Sequence, residues 1–82
     1  MNIKVLGAGC ARCNTLEKSV REVVKEMAIE ANIEKVTDFK EIAKAGVMMT
    51  PGLVINGKVK VTGKVPSKAE LTSIITSVLA ES

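Results

Sequence analysis

Eighty-two residues, 46% of them apolar and 26% charged, suit one small globular domain, residues 1–82, and exclude a disordered chain. The net charge of +3 comes from 12 basic and 9 acidic residues that alternate along the chain without a polybasic run, which argues against a nucleic-acid-binding face. Phe39 is the only aromatic residue, so the core must be built from Val, Ile, Leu, Met and Ala, and the stacking side chains of single-strand nucleic-acid surfaces are missing.

The opening Met1-Asn2-Ile3-Lys4-Val5-Leu6 lacks the charged segment and apolar run of a secretory signal. No stretch approaches the roughly 20 apolar residues of a membrane span. The expected compartment is the cytoplasm, without membrane association, where a lone cysteine pair stays reduced or cycles.

Residues 2–6 read as a short buried strand ended by Gly7 and Gly9. From Cys13 onward, Leu16, Val20, Val23, Val24 and Met27 recur at spacings of three and four. That marks one face of a helix running to about residue 28. Residues 31–36, with Ala31, Ile33 and Val36, read as a second strand, and a strand, helix and strand in succession make a parallel pair with a right-handed crossover.

Asp38 and Glu41 predict a capping box opening a short second helix, with Phe39, Ile42 and Ala43 inward and Gly46 as its stop. Met48 and Met49 lead into Thr50-Pro51. Leu53, Val54 and Ile55 form a third strand, and Asn56-Gly57 is a two-residue hairpin turn. The returning residues Lys58 to Thr62 alternate, with one apolar and one lysine-rich face, as an edge strand should. Lys58, Lys60 and Lys64 are the densest basic patch, there either to meet an acidic partner or to protect the edge. Ser67 and Glu70 predict a second capping box before a stripe of Leu71, Ile74, Ile75, Val78 and Leu79 on a final helix. The order is βαβαββα, with no repeat, linker or low-complexity tract.

The chemistry-bearing motif is Cys10-Ala11-Arg12-Cys13, which holds both cysteines of the chain. With Cys10 at the head of the helix and Cys13 in its first turn, unpaired backbone N–H groups and the helix dipole favour a thiolate. Thiolates so placed titrate at about 3.5–7.5 instead of about 8.5, and the positive charge of Arg12 pushes the same way. Cys10 is then the nucleophile and Cys13 the sulfur that resolves its mixed disulfide. Gly7, Ala8 and Gly9 keep side-chain bulk away from the first sulfur. A structural zinc site normally needs four Cys or His ligands, and the chain has two cysteines and no histidine. Two other readings of the motif stay open: a two-thiolate loop for Cu(I), and a buried pair acting as small hydrophobes.

Three features coincide: the paired cysteines after the first strand, Thr50-Pro51 before the third, and an Asn56-Gly57 hairpin leading to a terminal helix. In these the whole chain resembles the small thioredoxin-like, redox-active disulfide proteins of archaea and bacteria, within the thioredoxin/glutaredoxin superfamily. The resemblance implies an α/β fold with a four-stranded mixed sheet in the order 2-1-3-4. Its first and third helices would share one face, and the second would take the other. It further implies that Pro51 is cis and lies beside the dithiol, with Thr50 offering its backbone N–H and C=O to an extended substrate.

The activity implied is that of a thiol–disulfide oxidoreductase or electron carrier. Cys10 and Cys13 would be catalytic, with Arg12, Thr50 and Pro51 supporting them. Protein disulfides would be substrates, an upstream reductase would supply electrons, and no cofactor or metal would be needed by a monomer. The chain departs from thioredoxins proper, which carry Trp-Cys-Gly-Pro-Cys. From the glutaredoxin Gly-Gly and acidic pair it keeps only Gly63, so exchange with proteins is expected over use of glutathione. The lack of aromatics predicts a less apolar surface around the dithiol. Heavy-metal-associated domains, the basis of the alternative Cu(I)-binding or chaperone function, end on a strand and carry Met before the loop. This chain ends in a helical pattern.

Overall fold

The computed structural model describes residues 1–7 and 11–81. The elements follow as β1 (Asn2–Leu6), α1 (Ala11–Glu26), β2 (Asn32–Val36), α2 (Phe39–Lys44), β3 (Gly52–Ile55), β4 (Lys58–Thr62) and α3 (Lys68–Glu81). They build one mixed sheet in the order β2-β1-β3-β4, with β1 parallel to β2 and antiparallel to β3, and β3 antiparallel to β4. This is the α/β, thioredoxin-like architecture that the resemblance implies. Among the described residues no helix is long and apolar enough to cross a membrane.

Strand alternation divides the apolar residues between two faces. Ile3 and Val5 of β1 with Leu53 and Ile55 of β3 join Leu16, Val20 and Val23 of α1 and Leu71, Ile75 and Val78 of α3 in the main core. Leu6 and Val54, on the opposite side of the same strands, meet Ile42 of α2 and Val47 beyond it. Strand β3 is covered on both faces and buried throughout.

The short second helix departs from expectation. Its six residues make under two turns at about 3.6 residues per turn. Ile42 is its buried residue. Phe39 and Ala43, expected inward, are exposed, Phe39 by 73%, and Val47 completes the cluster instead. Half of the capping box forms: Asp38 Oδ1 accepts the Lys40 N–H at 2.8 Å, while Glu41 pairs with Lys44 at 3.5 Å. Gly46 ends the helix at φ +84°, as the sequence predicts.

Strand β4 departs as well. Leu53 faces Val61, but Val54 faces Val59 and Ile55 faces Lys58, so Lys60 is an extra residue that breaks the alternation. Val61 therefore enters the core while Val59 is exposed on the other side. Both Lys58 and Lys60 lie near Glu81, at 3.7 and 3.9 Å, and Lys64 lies 3.5 Å from Glu70. Lys58 and Lys60 of the edge strand share the Glu81 carboxylate and Lys64, beyond the strand, has Glu70, so the patch is partly compensated within the chain.

At α3 the predicted cap forms, the Glu70 N–H donating to Ser67 Oγ at 3.2 Å. Leu71, Ile75 and Val78 are buried, Ile74 is half-buried, and Leu79 lies outside the buried stripe. Lys68 pairs with Glu26 and Glu22 of α1 at 2.7 and 3.4 Å. Its pKa is raised above the usual lysine value, chiefly by the Glu26 hydrogen bond.

The division of labour in α2 is measurable. Ile42→Ala should cost about 2–4 kcal/mol of stability in denaturant unfolding, and Phe39→Ala less than about 0.5 kcal/mol.

Candidate functional site

Leu6 pairs with Val36 on one side and Gly52 on the other, and Gly52 pairs with Thr62. One row thus crosses all four strands at the carboxyl end of β1. Residues just past this row, Gly7, Pro51 and Gly63, come to the same end of the sheet, where α1 begins. The crevice beyond strand ends is where open α/β sheets place their chemistry.

Cys13 is the third residue of α1. It is fully buried and disulfide-bonded. Gly7 lies directly against it: a Cβ on Gly7 would overlap Cys13 Sγ and lie 2.8 Å from Cys13 Cβ. No side chain fits there without moving the helix or the strand. The role of Gly7 therefore differs from the sequence expectation, because it makes room for the second, buried sulfur. Ala8, Gly9 and Cys10, to which the expectations of an open approach and of the nucleophile attach, lie outside the described residues.

The Thr50–Pro51 peptide bond is cis, as the resemblance implies. Pro51 is buried and Thr50 exposed. Strand β3 runs against β1 with Val5 opposite Leu53 and Leu6 opposite Gly52, and one further step of that register sets Pro51 across from Gly7. Gly7, at the end of β1, thus has Cys13 of α1 packed against it and Pro51, far away in sequence, across from it.

Arg12, expected as a charge beside Cys10, has a definite partner on the far side of the site. Its Nη2 donates to the Gly63 carbonyl at 2.9 Å. The Gly63 N–H in turn donates to the Pro51 carbonyl at 2.8 Å and to the Met49 carbonyl at 3.2 Å. Gly63 adopts φ +73°, and a Cβ there would lie 3.2 Å from Met49 Cβ. On the β2 side of the same helix end, Lys35 donates to Asn14 Oδ1 and lies 3.9 Å from Glu17.

Two apolar residues beside Thr50 are exposed, which the composition does not predict. Met48 and Met49 are 89% and 65% exposed and immediately precede Thr50. The scarcity of aromatics predicts a surface poor in apolar groups, yet this pair presents flexible thioether side chains able to fit varied contacts. The Met-Met doublet before Thr-Pro was the available signal.

A disulfide-bonded cysteine in the first turn of the first helix, packed on the end of a central strand with a cis-proline opening the neighbouring strand, defines a thioredoxin-like domain. Comparison with known proteins agrees: the family model described as a thioredoxin domain matches residues 1–76, and the chain belongs to that family. A protein named thioredoxin from Methanothermobacter thermautotrophicus is 44% identical over 75 residues, covering 92% of this chain and 97% of its own. Another of that name, from Methanocaldococcus jannaschii, is 39% identical over 77 residues, covering 94% and 88%.

Gly7→Ala is expected to lower the stability of the disulfide form by about 1–3 kcal/mol through overpacking on Cys13. Gly46→Ala meets no atom within 4 Å and should cost only the left-handed backbone penalty of about 1–2 kcal/mol. Guanidinium unfolding monitored by circular dichroism measures both.

Proposed function

We propose that the protein is a dithiol–disulfide oxidoreductase that reduces protein disulfides, working in the cytoplasm as a monomer of one domain. In its reduced form the Cys10 thiolate attacks one sulfur of a substrate disulfide. The S–S bond breaks, the departing substrate sulfur leaves as a thiolate and takes a proton, and a mixed disulfide joins Cys10 to the substrate. Cys13 loses its proton and attacks Cys10 Sγ, which releases the second substrate thiol and leaves Cys10 and Cys13 joined. Two electrons have then passed to the substrate. An upstream dithiol reductase returns them to the protein by the same exchange in reverse.

The observation that carries this reading is the disulfide-bonded state of Cys13 at the first turn of α1, packed on Gly7. Peptide N–H groups at a helix start lower the free energy of a thiolate. The buried position of Cys13 fits a sulfur that meets a bound intermediate and not free solvent. Thr50, exposed beside buried Pro51, would offer its backbone to an extended substrate chain as a short added strand.

The test is insulin reduction with dithiothreitol as the electron source. The unsubstituted protein should accelerate the reaction, and Cys10→Ser should fall to the rate of dithiothreitol alone. Cys13→Ser should accumulate mixed disulfides through Cys10. Alkylation of Cys10 should follow an apparent pKa below the free value of about 8.5. Tight one-to-one Cu(I) binding without any acceleration would instead establish the soft-metal carrier.

A further inference from the structure

We propose that Arg12 is a positioning residue: through Gly63 it ties the segment between the two cysteines to the Met49–Pro51 backbone, holding the two sides of the exchange site at a fixed spacing. The inference rests on the exchange activity proposed above and assigns Arg12 a part in it other than charge.

Gly63 is bonded in both directions. Its N–H donates to the carbonyls of Pro51 and Met49, at 2.8 and 3.2 Å, and its own carbonyl accepts from Arg12 at 2.9 Å. A left-handed backbone at φ +73°, which glycine adopts without penalty, accompanies this arrangement. The Met49 side chain further restricts the position, since a Cβ would come within 3.2 Å of its Cβ. Arg12 and Gly63 are 51 positions apart in sequence, so the bond joins the head of α1 to the end of β4.

Arg12 stands between Cys10 and Cys13. Displacement of that segment during the thiol–disulfide cycle must therefore either carry Gly63 along or break the bond. Gly63 in turn holds the carbonyls flanking Thr50, the residue that meets the substrate chain. The chemistry of the side chain suits a tie: a guanidinium is planar and weakly hydrated and keeps a fixed donor geometry, whereas an ammonium is a strongly hydrated point charge on a loose stem. A charge that only stabilised a Cys10 thiolate would need no particular acceptor.

The two roles separate under substitution. Arg12→Met and Arg12→Lys are compared with the unsubstituted protein by amide hydrogen exchange of the oxidised form, read without substrate. Steady-state reduction of a fluorescent disulfide-linked peptide and the pH profile of Cys10 alkylation complete the comparison. In Arg12→Met the Gly63 amide keeps its own bonds to Pro51 and Met49, but opening of that segment no longer has to break the Arg12 bond to the Gly63 carbonyl, so the amide should exchange about three- to tenfold faster, the net contribution of one hydrogen bond, while amides of Val20 and Val23 stay unchanged. KM for the peptide should rise by a similar factor with kcat within about twofold. Arg12→Lys should keep the pH profile of the unsubstituted protein but not its KM.

Unchanged exchange at Gly63, or a lysine that restores KM in full, would assign Arg12 to charge alone and overturn the tie. Absence of turnover by the unsubstituted protein would defeat the exchange activity itself. That failure is distinguishable because amide exchange is read without substrate.

Discussion

The contact between Gly7 and Cys13 is the constraint on which the rest of the site depends. A strand that ends in a residue without a side chain lets the first turn of α1 close directly onto the backbone, and Cys13 is seated where a Cβ would otherwise stand. Burial of that sulfur follows from the contact, as does the close docking of the helix on the sheet. The Gly7 N–H is bonded to the Val36 carbonyl at 2.9 Å, so the strand end on which the helix packs is also held by β2. The sulfur therefore rests on main chain held from the neighbouring strand, which gives it a more rigid seat than side chains alone would provide.

A sheet of four short strands can hold such a site because its two faces do different work. The face covered by α1 and α3 carries most of the buried apolar side chains. The face under α2 carries four: Leu6, Ile42, Val47 and Val54. A helix of six residues needs little core, and it leaves Phe39, Met48 and Met49 exposed around it. Three of the exposed large apolar side chains thus lie in α2 or just after it, Leu79 of α3 being exposed elsewhere, and the methionines adjoin Thr50. Unbranched thioethers carry three rotatable bonds, so their contact area can adapt to more than one shape.

What was legible in the sequence was local. The Asn56-Gly57 turn, with both residues at positive φ, the Ser67–Glu70 cap and the stop at Gly46 each depend on a few consecutive residues whose chemistry has one good solution. The strand order and the cis bond at Pro51 were accessible through family resemblance, not through periodicity. Phe39 was misplaced because helical spacing says which residues share a face and not how far a short helix extends over its sheet. Lys60 was misplaced because a bulge is a property of two paired strands, invisible in one. The close approach of Gly7 to Cys13 and the bond from Arg12 to Gly63 join residues brought near only by the finished topology. For those the sequence offered two glycines and an arginine with nothing to connect them.

The edge lysines illustrate how the same charge can take different meanings. Lys58 and Lys60 on an outer strand discourage pairing with another chain, yet each also reaches Glu81 at the end of α3. Exposed pairs of this kind contribute little stability individually, about 0–1 kcal/mol. They do neutralise much of the basic patch, and Glu70 does so for Lys64 at the margin of the site. Arg12 differs in that its partner is a neutral carbonyl, so the bond leaves its positive charge uncompensated by that contact. That positive charge stands at the head of α1, on a side chain hydrogen-bonded to the backbone just past β4.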